Sequence, residues 1–451
     1  MSINRLYEMS RRSFGVFSAQ MNVAGQNIAN ANTPGYARRR LTLGTEGPGR
    51  NGLLMPSAGG VGSGVTAQRL ERMRDGLLAT AANDARTGLG GADEETRLLA
   101  TLEGSFGVGS GAALQDVMNG FWNGWSDLAN NPTDSGVRTT LLGQADTLAA
   151  TLRRLDDGIT RLSGETQTAL GEGVGQVNGL LDEIAGLNAS IRASRAAGSP
   201  DFAAEDRRDA AVAELSAFAP VRVSDGADGY TVTIGGMAAV QGDHALGLTL
   251  DVPPDVAVAG VRFEGTDVAF PTSSGGSLGA QLKTLQKTLP DTRAALDGLA
   301  AALVADVNAA HSAGYGLDGS TGLNFFDPAG VTAGSIRLSD DVSDPSAIAA
   351  SGAPDAPGDS SVASALAALR EGFDAQAIDL TAGVGGKLRA ARTAAGAQAA
   401  IVDHLAAMEA GVSGVSVDEE MTNLIEAQHA FAAAARVLTT ADEMMDTLLA
   451  L

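Results

Sequence analysis

Apolar residues recur at alternating spacings of four and three at both ends of the chain, switch to every second position in one central stretch, and keep the helical period elsewhere. At the C-terminus Val417, Met421, Leu424, Gln428, Phe431, Ala435, Leu438, Asp442, Met445 and Leu449 form a heptad row that is apolar at all but Gln428 and Asp442. Such a row predicts a helix with one narrow seam. Ser416 stands at its N-cap position with Glu419 three residues on, and Asp418, Glu419 and Glu420 place negative charge at the positive end of the helix dipole. At the N-terminus Ile3, Tyr7, Ser10, Phe14, Phe17, Met21, Ala24, Ile28 and Ala31 keep the same spacing until Pro34 disfavours helix at the residue before it.

Between these ends, residues 44–64 read as a glycine-rich connector with Pro48 and Pro56. Leu70, Leu77, Leu98 and Leu102 mark a helix broken at 104–111, and Leu114, Met118, Phe121, Trp122, Trp125 and Leu128 mark a second that ends at Asn130-Asn131-Pro132. A third spans about residues 137–195, with Val177, Leu180, Ile184, Leu187 and Ile191 on one face. Each glycine inside it weakens the helix by about 1 kcal/mol relative to alanine, so packing has to supply the difference. From 221 to 270 the period is two, with turns at Asp225-Gly226, Asp228-Gly229 and Gly235-Gly236, which predicts a small antiparallel β region. A helix ending near His311, a strand at 331–338, a short helix at 361–373 and a long one at about 384–410 complete the pattern.

Charge makes the two ends complementary. Residues 1–43 carry six arginines against Glu8, a net of +5, and residues 401–451 carry nine acids against Arg436, a net of −8. An ordinary helix pair closing one domain satisfies the same pattern. Over all 451 residues the net charge is −22, which disfavours nucleic acid and anionic membranes as partners. The chain has no cysteine, which excludes disulfides, thiolate metal sites and a thiol nucleophile. With neither a cleavable signal pattern nor an 18-residue apolar run, no membrane span is expected.

Three stretches invite a chemical reading. Gly62-Ser63-Gly64-Val65-Thr66-Ala67 fits a loose dinucleotide pattern, but it lacks a βαβ setting in a chain of 58 glycines. Gly275-Gly276-Ser277-Leu278-Gly279 fits the G-x-S-x-G elbow of serine hydrolases, with His311, His404 and His429 downstream. Against it stand the long helices upstream, where that fold has a parallel sheet. The cluster Asp201, Glu205, Asp206, Arg207, Arg208 and Asp209 reads as a solvated, salt-bridged helix face. No catalytic, cofactor-binding or metal site is assigned, and a structural protein is expected rather than an enzyme.

Longer motifs carry a family resemblance. Residues 27–36, Asn-Ile-Ala-Asn-Ala-Asn-Thr-Pro-Gly-Tyr, resemble the N-terminal signature of bacterial flagellar rod, hook and hook-associated proteins. Residues 417–428, continuing through Phe431, Arg436-Val437-Leu438, Ala441-Asp442-Glu443 and Thr447-Leu448-Leu449, are similar to their C-terminal signature. Residues 125–134, 187–215 and 277–282, with Gly314-Tyr315 and Phe325-Phe326, resemble the hook-filament junction branch of that family more than hook or distal rod proteins.

The resemblance implies a mainly α, nested, multi-domain axial protein with a small β insertion. Residues 1–45 and 411–451 would pair as a coiled-coil inner domain, 46–218 and 277–410 would form a helical middle domain with a short β segment near 331–340, and 219–276 would form a small β outer domain. It implies a structural adaptor between hook and filament that self-assembles into a short helical or ring segment. Its partners would be hook protein, a second junction protein (hook-associated protein 3) and a flagellar export chaperone on the C-terminal helix. The location would be extracellular, reached by type III export without a cleaved signal. The implied assembly interface comprises Ile3, Phe14, Phe17, Met21, Ile28, Asn30, Thr33, Pro34, Gly35, Tyr36, Met421, Leu424, Phe431, Leu438, Met445 and Leu449.

Overall fold

The N-terminal helix α1 (Ile3–Ala29) ends in a turn at Asn30–Thr33 just ahead of Pro34, and the chain returns as the antiparallel hairpin β1 (Arg39–Thr45) and β2 (Val65–Arg72). The computed structural model describes residues 3–45, 64–107, 114–226, 229–251 and 260–449. Most of the expected connector, the end of the break at 104–111 and Asp228 of one expected turn lie outside the described residues. Leu70, expected in a helix, belongs to β2, where it pairs with Leu41. Its apolar neighbours at helical spacing lie beyond Asp75, whose carboxylate accepts from the amides of Leu77 and Leu78 and starts α2 (Gly76–Ser105).

Next come α3 (Leu114–Asn130) and the 62-residue α4 (Ser135–Ala196), capped by Asp134 through the amides of Gly136 and Val137 at 2.7 and 3.2 Å. α5 (Phe202–Phe218), capped by Asp201, folds back along α4. Strands β3 (Val221–Gly226), β4 (Gly229–Ile234), β5 (Met237–Gln241) and β6 (His244–Ala245) follow as one antiparallel sheet in that order, and β7 (Leu248–Asp251) pairs with β8 (Gly260–Phe263). α6 (Gly276–Lys283) runs through a π-helical turn at Thr284–Thr288 into α7 (Leu289–Ser312). After a long irregular stretch come α8 (Ser361–Ala368), α9 (Arg370–Ser413) and α10 (Val417–Leu449).

Residues 331–338, expected as a strand, turn instead. Ser335 and Ile336 both bond back to the Thr332 carbonyl, and only a single bridge, Phe326 to Leu338, has sheet character. The alternation that suggested a strand is short and interrupted by Gly334, and Asp297 of α7 takes the Ala333 amide. Within 361–449 one helical stretch passes for a bilayer span by length and composition, where none was expected. Alanine supplies much of that apolarity, and α9 and α10 pack along α2 and α1.

Two apolar clusters hold these elements together. One joins α2, α3, the first half of α4, α7, α8 and α9 around Phe121, Trp122, Trp125, Phe325 and Phe326. The other joins the second half of α4 with α5, α6 and the strands β3, β4, β5, β7 and β8. Each buried leucine or isoleucine on α4 stabilises by roughly 1.5–3 kcal/mol, enough to offset its glycines. Neither cluster contains a residue of α1, β1, β2 or α10.

Candidate assembly interface

α1 and α10 pair along their length. Phe14 meets Phe431 edge to face with ring centroids 4.7 Å apart, and Val16, Ala24, Ala427 and Ala441 are buried beside them. Phe17, Met21 and Ile28 of α1, Asn30 in the turn after it, and Leu424, Phe431 and Leu438 of α10 are half-buried. Ile3 and Leu449 lie at the helix ends, with side chains outside the described ones. Thr33, Pro34 and Gly35 are exposed, and Tyr36 is half-buried.

The seam is turned relative to the heptad row read from the sequence. Its column Leu424, Phe431, Leu438 faces α1, but the second buried column is Glu420, Ala427 and Ala441 rather than Met421, Gln428 and Asp442. Met421 is 44% exposed, as are, to similar extents, Val417, Ile425 and Met445. The sequence row followed the larger apolar side chains, whereas close helix approach selects alanines and one acid.

That acid explains the geometry of the N-terminal motif in physical terms. Glu420 is 3% exposed and its Oε2 accepts from Asn27 Nδ2 at 3.1 Å, while Arg38 Nε donates to Oε1 at 2.7 Å. Asn27, itself fully buried, also donates to the Arg39 carbonyl at 2.9 Å, and its Oδ1 accepts from the Arg39 amide at 3.0 Å and the Tyr36 hydroxyl at 2.8 Å. The turn through Thr33 and Gly35, where Gly35 takes φ +78°, brings Tyr36 back over Asn27. Burial raises the Tyr36 pKa, Arg39 lowers it, and Asp206 and Glu420 raise it further, so the phenol stays protonated and donates. Sequence reasoning missed Asn27 and Glu420 because polar residues on an amphipathic helix read as solvated, and Arg38 because nothing local marks its partner on α10.

The cluster at 201–209 is salt-bridged as expected, but Glu205, Asp206 and Arg208 are buried rather than solvated, while Asp201 and Arg207 are exposed. Glu205 and Asp206 are under one tenth exposed, because Arg72 of β2 reaches across to Glu205 at 3.1 Å and to Asp206 and Asp209 at 2.7 Å each. Arg74 adds a 2.5 Å contact to Asp209, Arg195 one of 2.7 Å to Glu205, and Arg39 lies 3.8 Å from Asp206. Arg208 stacks 3.5 Å from the centre of the Tyr230 ring. Arg39, Arg72 and Arg74 come from β1, β2 and the residues just after it, more than 130 positions away in sequence, so the local pattern of α5 gave no sign of them.

The G-x-S-x-G stretch has a packing explanation. Gly276 has φ +79°, and a Cβ there would lie 2.3 Å from the Phe218 carbonyl oxygen; one on Gly279 would lie 1.7 Å from that of Ser274. Ser277 lies in the first turn of α6 with no histidine bonded to it. His311 is instead held in the core, its Nδ1 donating to the Leu323 carbonyl at 2.8 Å and its Nε2 accepting from the Ala349 amide at 2.9 Å. His404 and His429 sit exposed on α9 and α10.

Comparison with known proteins finds matches to the middle and to both ends of the chain. The family profile of the flagellar hook-associated protein FlgK helical domain matches residues 99–326. The profile of the flagellar basal body rod FlgEFG protein C-terminal region matches 411–451, and that of the flagella basal body rod protein matches 17–36. Flagellar hook-associated protein 1 of Bacillus subtilis is 27% identical, covering 98% of this chain and 97% of its own. Its counterpart in Salmonella typhimurium is also 27% identical, over 68% of this chain and 56% of its own length. A solved hook junction protein FlgK from Burkholderia pseudomallei, 28% identical, aligns over 55% of this chain and 46% of its own with a TM-score of 0.49.

Proposed function

The chain belongs to the flagellar hook-associated protein FlgK family, and from that premise we propose that it is the structural adaptor joining hook to filament and that its paired terminal helices are the docking element. As a member of that family it is a component of the bacterial flagellum. The observation that carries the docking assignment is the row Val417, Met421 and Ile425, which leaves three large apolar side chains about half exposed beside the locked contact between Asn27 and Glu420. Helix pairing uses one side of α10, and this row lies uncovered along another. Apolar side chains grouped on one exposed helix face mark an interface.

In this reading α1 and α10 form the inner part of a self-assembled ring or short helical segment, and the remaining helices and the β3–β6 sheet face outward. Hook protein lies on one side and the second junction protein on the other. An export chaperone covers the exposed face of α10 before assembly, and the chain leaves the cell by type III export with its N-terminus uncleaved. The role is structural, without catalysis or cofactor. Immunogold labelling of an epitope-tagged copy on isolated flagella tests the assignment: a single band of gold at the hook-filament boundary is expected, and label spread along hook or rod would overturn it.

A further inference from the structure

The molecule consists of two bodies joined by little apolar contact. Among the described residues, none of α1, β1, β2 or α10 packs broadly on a helix or strand of the remainder, and neither apolar cluster crosses between them. Two short linkers, 73–75 and 414–416, connect the bodies and meet at one residue: the Met73 amide donates to the Arg38 carbonyl, and the Arg38 amide donates to the Ser413 carbonyl, both at 2.8 Å. The main further connection is ionic, from Arg39, Arg72 and Arg74 to Glu205, Asp206 and Asp209 of α5, with Arg39 also 5.5 Å from the centre of the Phe202 ring.

We propose that this ion cluster is a breakable clasp, and that on its release the terminal helix pair rocks against the body about the crossing at Arg38. The inference goes beyond the docking role and holds for the single chain.

Charge attraction within the clasp is set against a large desolvation cost. Arg39 Nε, Arg72 Nε, Asp206 Oδ1 and Asp209 Oδ1 are buried without a hydrogen bond of good geometry, although Asp206 Oδ1 lies 2.7 Å from an Arg72 nitrogen. Burial holds the Asp206 carboxyl above its ordinary pKa, outweighing the lowering by Arg72 and Arg39. Opening would give each of these atoms water, so only a modest free energy holds the closed arrangement over the open one. Removing one partner tips the balance, because the groups left behind are buried and unpaired.

The chain has no native cysteine, so Glu214→Cys on α5 and Ala433→Cys on α10, both exposed, accept spin labels uniquely. Pulsed electron resonance on the dilute full chain reads the distance between them. The wild-type background gives one narrow distance distribution. Arg72→Met, and independently the shape-preserving Asp209→Asn, are expected to lose that narrow peak and gain longer distances while the circular dichroism stays unchanged. Arg97→Met, which breaks the pair with Glu94 outside the cluster, is expected to leave the peak intact. A narrow, unshifted peak in Asp209→Asn and in folded Arg72→Met would overturn the clasp.

Discussion

Phe14 of α1 and Phe431 of α10, from opposite ends of the chain, meet edge to face at 4.7 Å and fix the register of the terminal pair. Such pairs contribute roughly 0.5–1.5 kcal/mol beyond their buried area. A double-mutant cycle with Phe14→Leu and Phe431→Leu, read from hydrogen-exchange protection of α1 amides, is expected to give a coupling in that range. Additive single changes would show that the rings do not meet in solution.

The element types at both termini, the long helices and the alternating β region were legible because each rests on a local period. Legibility failed where a distant partner decides. Glu420 reads as an N-terminal dipole charge, yet Asn27 and Arg38 bury it. The acids of α5 read as solvated until Arg72 arrives from β2. Met421 reads as seam and lies outside it, because the seam prefers the small Ala427 and Ala441. Leu70 shows the converse error: helical spacing carried across Asp75, which is the cap where the helix begins.

The lock around Asn27 gives a sharper stability test than any apolar contact in the pair. Asn27→Leu strands the buried Glu420 carboxylate oxygen, the Tyr36 hydroxyl and the Arg39 backbone. A loss of about 2–4 kcal/mol in the stability of the terminal pair is expected, since unpaired buried polar groups cost about 1–3 kcal/mol each and their losses overlap. Hydrogen exchange of residues 20–30 measures it, and wild-type protection in Asn27→Leu would remove the lock from the account.

If Gly276 and Gly279 serve packing, their replacement is costly and that of Ser277 is not. Gly279→Ala is expected to lower the free energy of unfolding by about 2–3 kcal/mol, and Ser277→Ala to change it by less than about 0.5 kcal/mol. Urea denaturation gives both values. The reverse ranking, or loss of an ester-hydrolysing activity in Ser277→Ala, would return the motif to chemistry.

Burial lowers the His311 pKa below 6.5; the bond to Leu323 opposes this and the Arg138 charge adds to it. The neutral ring accepts from Ala349, so protonation at Nε2 breaks a core hydrogen bond. With the folded pKa below the unfolded one, this contribution is complete above about pH 6.5 and is lost as the pH falls, with up to one proton taken up on unfolding. Urea midpoints of the wild type are therefore expected to drop more steeply between about pH 6.5 and 5.5 than those of His311→Gln. Parallel pH profiles would contradict the burial of a neutral imidazole.

The account stands or falls on whether the exposed face of α10 docks the molecule in the flagellum. Met421→Glu places a charge on that face without touching the contact between Phe14 and Phe431, whereas Thr249→Glu places one at an exposed position of β7. Electron microscopy of cells carrying each change counts filaments on hooks. The account predicts bare hooks with filament subunits shed into the medium for Met421→Glu, and wild-type filaments for Thr249→Glu; normal filaments on Met421→Glu cells would contradict it.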